Sequence, residues 1–259
     1  MQEELRTVER KGWIAVVMGL IMTGLAQIYN GEMMKGVCLY LFGIILYVIG
    51  FSASTRLPDR YLIIGLLLVL AIKIAIHLFS IFDGYKTAKN KGAGYRLKPY
   101  NKWYVYLVVW LVGPLMITGL ATRLVRNHIV QAYKLPSSAM EPAIMSGEKV
   151  LVDKRVYKKR PLKIGDIVVF VYPDDRSQVV IRRVAGLPGD TVKTGDGKQY
   201  RVPHGSIFVM SDNKDEGTDS RHFGPVPLAD VVGKDRQVFS SAGKEGFRWD
   251  RIGRTFDHH

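Results

Sequence analysis

Four apolar runs, at residues 13–29, 37–53, 61–82 and 103–121, constrain this chain more than any other feature, because each has a length that could cross a bilayer core. After about residue 122 the character changes to polar sequence carrying short runs rich in Val and Ile. The mean hydropathy of +0.05 therefore averages two unlike halves. The formal charge of +14 is split evenly between them. In a chain with spans, basic residues set topology and meet anionic lipid head groups, so membrane lipid is the expected partner. No helix-turn-helix, zinc or aromatic RNA-binding pattern is present, and no nucleic acid is expected. The single cysteine, Cys38, lies within an apolar run, which leaves the polar half without an internal disulfide.

Lys86, Lys89, Lys91, Arg96, Lys98 and Lys102 make the loop between the third and fourth runs the densest basic stretch of the first half, which places it in the cytoplasm. The fourth run then leaves the cytoplasm, and everything after residue 122 is expected to be extracytoplasmic. The first run continues into more membrane sequence without a cleavage-like exit, so it is read as retained. Counting spans backwards puts the N-terminus outside, whereas Arg6, Arg10 and Lys11 favour the cytoplasm. A re-entrant hairpin over 13–29, the run interrupted by Gly19, Gly24 and Gln27, removes the conflict; a full crossing is the other reading. Lys73 and His77 share one helical face inside the third run, which makes them either a functional pair or groups packed against a neighbouring span. Residues 13–88 also resemble a small membrane module of unknown role, through G-L-x-Q-I-Y-N-G at Gly24 to Gly31, Lys35-Gly36, and D-x-Y-x-x-A at Asp83 to Ala88.

From Glu148 onward the pattern is that of β structure. Strands are expected at 149–153, 166–172, 179–184, 206–210 and 231–238, separated by Gly and Pro turns. The expected organisation is a membrane module over 1–102 of about three apolar spans with a basic cytoplasmic loop, a last span and connector over 103–133, and a β domain over 134–259. The fold class is a membrane α-helical N-terminal region plus a mainly-β extracytoplasmic domain.

Five segments of the polar half together resemble the bacterial type I signal peptidases. Lys134 to Pro142, K-L-P-S-S-A-M-E-P, is similar to the nucleophile segment P-S-x-S-M-x-P, with Ala139 at the serine. Gly165 to Phe170 resembles R-G-D-I-V-V-F. Ile181 to Asp190 resembles I-K-R-x-x-G-L-P-G-D, with Arg182 at the lysine. Met210 to Arg221 resembles M-G-D-N-R-x-x-S-x-D-S-R, with Gly217 at the first serine, and Phe247 to Phe256 resembles a terminal R-W-x-R-I-G strand.

The resemblance implies a signal-peptidase-like β fold in a multi-pass protein of the bacterial inner (cytoplasmic) membrane. It also implies a Ser-Lys dyad that cleaves signal peptides from exported preproteins after small-x-small sites. Here the nucleophile position is Ala139 and the general-base position is Arg182, which has no neutral form to accept a proton. Gly217 stands where the family's serine orients the lysine. Ser137 matches the hydroxyl that, with the N–H of residue 139, forms the oxyanion hole; Met140 and Pro142 shape the substrate groove. Arg183 with Asp212, and Asp219 with Arg221, match ion pairs that support the site. The apolar edge Met140 to Met145 is expected to touch lipid, and restoring a serine at 217 is expected to fill space that glycine leaves.

Losing a nucleophile or base typically removes about six orders of magnitude in rate. The chain is therefore read as an inactive or severely impaired peptidase, a pseudoenzyme binding signal peptides or a membrane partner. The alternatives are a working peptidase using Ser137 or Ser138 with Lys134 or Lys149, and a laboratory-inactivated variant; the latter accounts for Ala139 alone, not for the other two departures. His204, His222, His258 and His259 lack ligand-like spacing, so neither a metal nor a cofactor is expected.

Overall fold

The computed structural model describes residues 7–194, 197, 199–243 and 246–256; Arg6, His258 and His259 lie outside the described residues. The chain separates into two compact units, Met1–Ala53 with Gly65–Val125, and Ser54–Ile64 with Arg126–His259.

The first unit is built from helices α1 (Gly12–Ile21), α2 (Leu25–Tyr29), α3 (Met33–Ser54), α4 (Leu62–Lys91) and α5, which runs continuously over Trp103–His128. α3, α4 and α5 are long and apolar enough to cross a membrane. α5 passes through a π-helical stretch, Leu111–Thr118, around Pro114, which has no N–H to donate to the helical ladder. The first apolar run is not one helix. It breaks at Gly24 (φ 89°), and the ten-residue α1 that precedes the break rises only about 15 Å at 1.5 Å per residue, against a core of roughly 30 Å. A Cβ on Gly24 would lie 2.1 Å from the Gly36 carbonyl oxygen, so the break is also where the hairpin touches α3.

The polar residues of the membrane motif close this unit. Gln27 Nε2 donates to Ser80 O (2.8 Å) and to Asp83 Oδ2 (2.9 Å), Asn30 Nδ2 to Gly84 O (2.7 Å), and Lys35 pairs with Asp83 at 2.7 Å. With no water in a bilayer core, such groups must find partners inside the protein. Lys73 and His77 have partners too: Thr23 Oγ1 is 2.7 Å from His77 Nδ1, and Lys73 Nζ stands 5.1 Å from the centre of the Tyr47 ring. Strand β1 (Thr7–Val8) pairs antiparallel with β2 (Tyr95–Arg96), while Lys98 Nζ and Tyr100 Oη both donate to Gly31 O at 2.6 Å. Both ends of segment 8–31 thus meet the same loop.

The second unit is a seven-stranded antiparallel sheet. Its strands are β3 (Val130–Lys134), β4 (Lys149–Asp153), β5 (Ile167–Val171), β6 (Val179–Gly186), β9 (Ser206–Met210), β10 (Val226–Pro227) and β11 (Val231–Ser240), in the order β10-β9-β6-β5-β11-β4-β3. A hairpin of β7 (Thr191–Lys193) and β8 (Gln199–Arg201) projects from it. The five expected strands are all present, within two residues at their ends. β3 and the hairpin were not foreseen, because Val130 to Tyr133 falls in the expected connector and Thr191 to Arg201 is too polar to announce a strand.

Successive side chains of a strand point to opposite faces. Ile167 and Val169 enter a core with Met140, Ile144, Val150, Val152 and Ile181, whereas Val168 and Phe170 enter another with Val184, Ile207, Val209 and Val226. Both faces of β5 are therefore covered. The segment Ser54–Ile64, read from sequence as part of the membrane module, is held by β11: Arg236 donates to Thr55 O (2.8 Å) and Leu57 O (2.6 Å) and pairs with Asp59 and Asp153. The terminal stretch is not a strand as expected. After β12 (Ala242–Gly243) and β13 (Gly246–Phe247) it turns through a 3-10 helix, Trp249–Arg251, and then returns to β11 through backbone bonds of Val238 with Gly253 and Arg254 and an isolated bridge of Thr255 with Gln237.

Candidate active-site groove

The segment between β3 and β4 leaves the sheet and returns to it. Leu135 N–H donates to Glu148 O and Gly147 N–H to Leu135 O, both at 2.8 Å, which closes the segment at its base. Glu148, fully buried, then fixes its interior. Arg251 binds Glu148 through Nε–Oε1 (2.5 Å) and Nη2–Oε2 (3.1 Å) and also donates to Ala143 O (2.8 Å); Ser241 Oγ and Met145 N–H complete the carboxylate. Burial pushes the Glu148 carboxyl up, but these donors outweigh it and hold it below the usual carboxylate range. Met140 and Ile144 have no exposed surface, so the expectation that Met140 to Met145 presents an apolar edge to lipid is corrected: these side chains are core. Met140 therefore supports the segment from beneath, while Pro142 is exposed. Exposed apolar groups of this unit include Phe247 and Trp249, packed ring on ring at 4.5 Å.

Ala139 is 1% exposed, and its carbonyl accepts the Asn213 N–H at 3.0 Å. Arg182 and Arg183, consecutive on β6, diverge to opposite faces. Arg183 grips Asp212 through two bonds, Nε–Oδ1 at 2.7 Å and Nη2–Oδ2 at 2.6 Å, and donates to Gly165 O. Arg182 turns to the other side, where Nε donates to Thr218 O (3.0 Å) and Nη1 to Ile181 O (2.6 Å). Burial lowers its affinity for its proton, against the opposing pull of Asp219 and Tyr172. Asp219, with no exposed surface, accepts from Arg221 Nε (2.9 Å), Arg221 Nη2 (2.8 Å), Arg221 N–H and Ser211 N–H. It also caps the short helix α6 (Ser220–Phe223). Burial raises the Asp219 carboxyl, but these bonds prevail and hold it low.

Three residues far apart in sequence meet at Gly217. A Cβ there would lie 2.5 Å from Ala139 Cβ and 3.2 Å from both Arg182 Nη2 and Ser211 Oγ, and Gly217 has φ 96°. The expectation that glycine leaves space for a serine here is corrected: the backbone fits only because the side chain is missing. Ser211 was missed. Its signal was legible, because the matching motif position is glycine, yet here a hydroxyl is buried without a hydrogen-bond partner. Ser137 is exposed, two residues before Ala139. Lys134 and Lys149, the bases invoked for an unorthodox peptidase, are both exposed and stand opposite each other in the β3–β4 register. They lack the burial on which a lysine base depends. His222 accepts the Asp219 N–H at 3.4 Å, and among the described residues no cluster of His, Cys, Asp or Glu could hold a metal ion.

The model of the family described as "Signal peptidase, peptidase S26" matches residues 107–200 and 193–240, together just over half of the chain. The chain belongs to that family. Among curated proteins, the chain is similar to "Probable signal peptidase I-1" of Synechocystis, 30% identical over 168 residues that cover 54% of this chain and 84% of that one. It is also similar to "Signal peptidase I V" of Bacillus subtilis, at 29% identity over 48% of this chain and 94% of that one. Mitochondrial inner membrane protease subunit 1 of Schizosaccharomyces pombe shares 34% identity over 42% and 73%. Within this family member the chemistry of the corner is plain. A methyl group offers no nucleophile, and a guanidinium does not serve as a base at neutral pH.

Proposed function

We propose that this member of the signal peptidase family binds the small-x-small segment of signal peptides in its groove without cleaving it. The observation that carries the reading is the meeting of the Ala139 methyl with Arg182 and Gly217, where the family's mechanism needs a hydroxyl, a neutral amine and the hydroxyl that orients it. Groove architecture does not depend on those atoms. An extended peptide is held by backbone pairing and side-chain pockets, and the Glu148–Arg251 clamp that shapes the segment is complete.

The proposed setting is the bacterial inner membrane, multi-pass, with the β domain extracytoplasmic and the basic loop 83–102 cytoplasmic. Pairing of Thr7–Val8 with Tyr95–Arg96 supports a cytoplasmic N-terminus, and the short broken hairpin over 12–31 then enters and leaves on one side. The proposed division stays that of a membrane module over 1–102, a last span with connector over 103–133, and the β domain from 134, with the one change that the loop 54–64 goes with the β domain.

The test is binding by the full chain in detergent. A fluorescent peptide with Ala at the first and third positions before the old cleavage point should bind at least about tenfold more tightly than one with Leu at both. Equal binding of the two would remove the groove from the account.

A further inference from the structure

The Ala139 corner carries donors that nothing among the described residues uses. Arg182 is 5% exposed, spends Nε and Nη1 on backbone carbonyls, and has no hydrogen-bond partner at Nη2 among the described residues. No carboxylate among the described residues pairs with it directly; nearby Asp219 is committed to Arg221 and to two backbone N–H groups. Ser211 Oγ is likewise buried and without a partner, and the Ala139 N–H makes no hydrogen bond to the described residues. Burying a cation costs several kcal/mol unless an anion answers it. A buried hydroxyl left unsatisfied adds to that cost.

We infer that this corner is a receptor for the free C-terminal carboxylate of a peptide, the chemical end that a cleaved signal peptide carries, rather than for an uncut chain. One carboxylate oxygen takes the oxyanion position at the Ala139 N–H. The other rests in van der Waals contact with the Ala139 methyl and turns toward Arg182 Nη2 and Ser211 Oγ. An uncut chain puts an amide N–H there, which has no charge to offer the guanidinium. The exchange of residues fits this use. Relative to the motif, position 217 has lost a hydroxyl and position 211 has gained one, so a hydroxyl that in the motif would face a lysine now stands beside a permanent cation. Charge-assisted hydrogen bonds of this kind are roughly twice as strong as neutral ones.

The inference rests on the peptide-binding reading, and one set of titrations separates the two. Three peptides sharing a single small-x-small sequence are titrated against the full chain in detergent at pH 7: one ending in a free carboxylate, one amidated at the same residue, and one continuing six residues further. The acid should bind at least about tenfold more tightly than either other peptide. Arg182→Gln should bring the acid-to-amide ratio close to one, Arg182→Lys should keep part of the preference, and Ser211→Gly should reduce it about threefold. The wild-type comparison needs no variant to fold. If amide and continuing peptide bind as tightly as the acid, the carboxylate receptor is wrong while the groove stands. If none of the three binds, both are wrong.

Discussion

Arg251 and Arg182 belong to the same β domain and are buried to a similar degree, 8% and 5% exposed, yet they meet opposite company. Arg251 faces a fully buried carboxylate whose remaining lone pairs are taken by Ser241 and Met145, so its charge is answered within the fold. Arg182 has two backbone carbonyls and an unused Nη2. The contrast separates a buried cation that holds a loop in shape from one available to something outside the chain. Both flank the segment 135–148.

Breaking the answered pair should have the largest effect. Arg251→Met leaves Glu148 charged and buried alone, and should destabilise the domain by about 3–5 kcal/mol in thermal or denaturant unfolding. Glu148→Gln with Arg251→Met should recover a good part of that loss. Arg182→Met strands no carboxylate, so its cost should stay near about 1 kcal/mol. Equal losses from Arg182→Met and Arg251→Met would erase the distinction.

A pH series sharpens the same comparison through a third group, Asp235 on β11. Burial pushes its carboxyl well above the usual range, against the opposing pull of the Arg236 and Gln237 backbone N–H groups and of Lys234. A raised carboxyl contributes stability that is present below its unfolded pKa of about 4 and is lost as pH climbs through the folded value. Asp235→Asn should therefore match wild type at pH 4 and become the more stable of the two as pH rises toward 8. Glu148, held low, behaves oppositely. Its contribution is present above about pH 4.3 and fades as pH falls through its folded value, and Glu148→Gln abolishes that slope.

The smallest effect concerns repair. Ala139→Ser with Arg182→Lys supplies both halves of a Ser-Lys dyad and should give weak processing of a preprotein, whereas neither change alone should. Adding Gly217→Ser should lower that activity, because a Cβ at φ 96° would meet residue 139 at 2.5 Å. A gain from Gly217→Ser would mean that the corner relaxes more than its packing implies.

Much of the domain was legible in sequence because Val- and Ile-rich strands between Gly and Pro turns announce themselves. The motif positions Ala139, Arg182 and Gly217, separated by up to 78 residues, do converge. What sequence did not reveal depends on facing. Met140 reads as an apolar edge but turns inward, and Glu148 and Arg251 look like ordinary surface charges until the fold buries them together. Ser211 differs from the motif by one small residue, and only its position beside Gly217 gives that difference a meaning. The loop 54–64 belongs with the β domain because Arg236 reaches its backbone, a contact across 181 residues that no local pattern encodes.

The most direct test of the central claim is a single incubation. The purified full chain, in detergent, is mixed with a preprotein bearing an Ala-x-Ala site, and cleavage and co-purification are read from the same sample. The account predicts capture of the preprotein or its signal peptide with no cleavage above a buffer control. Cleavage above the buffer control would contradict it, and Ser137→Ala and Ser138→Ala would then show whether either serine supplies the nucleophile.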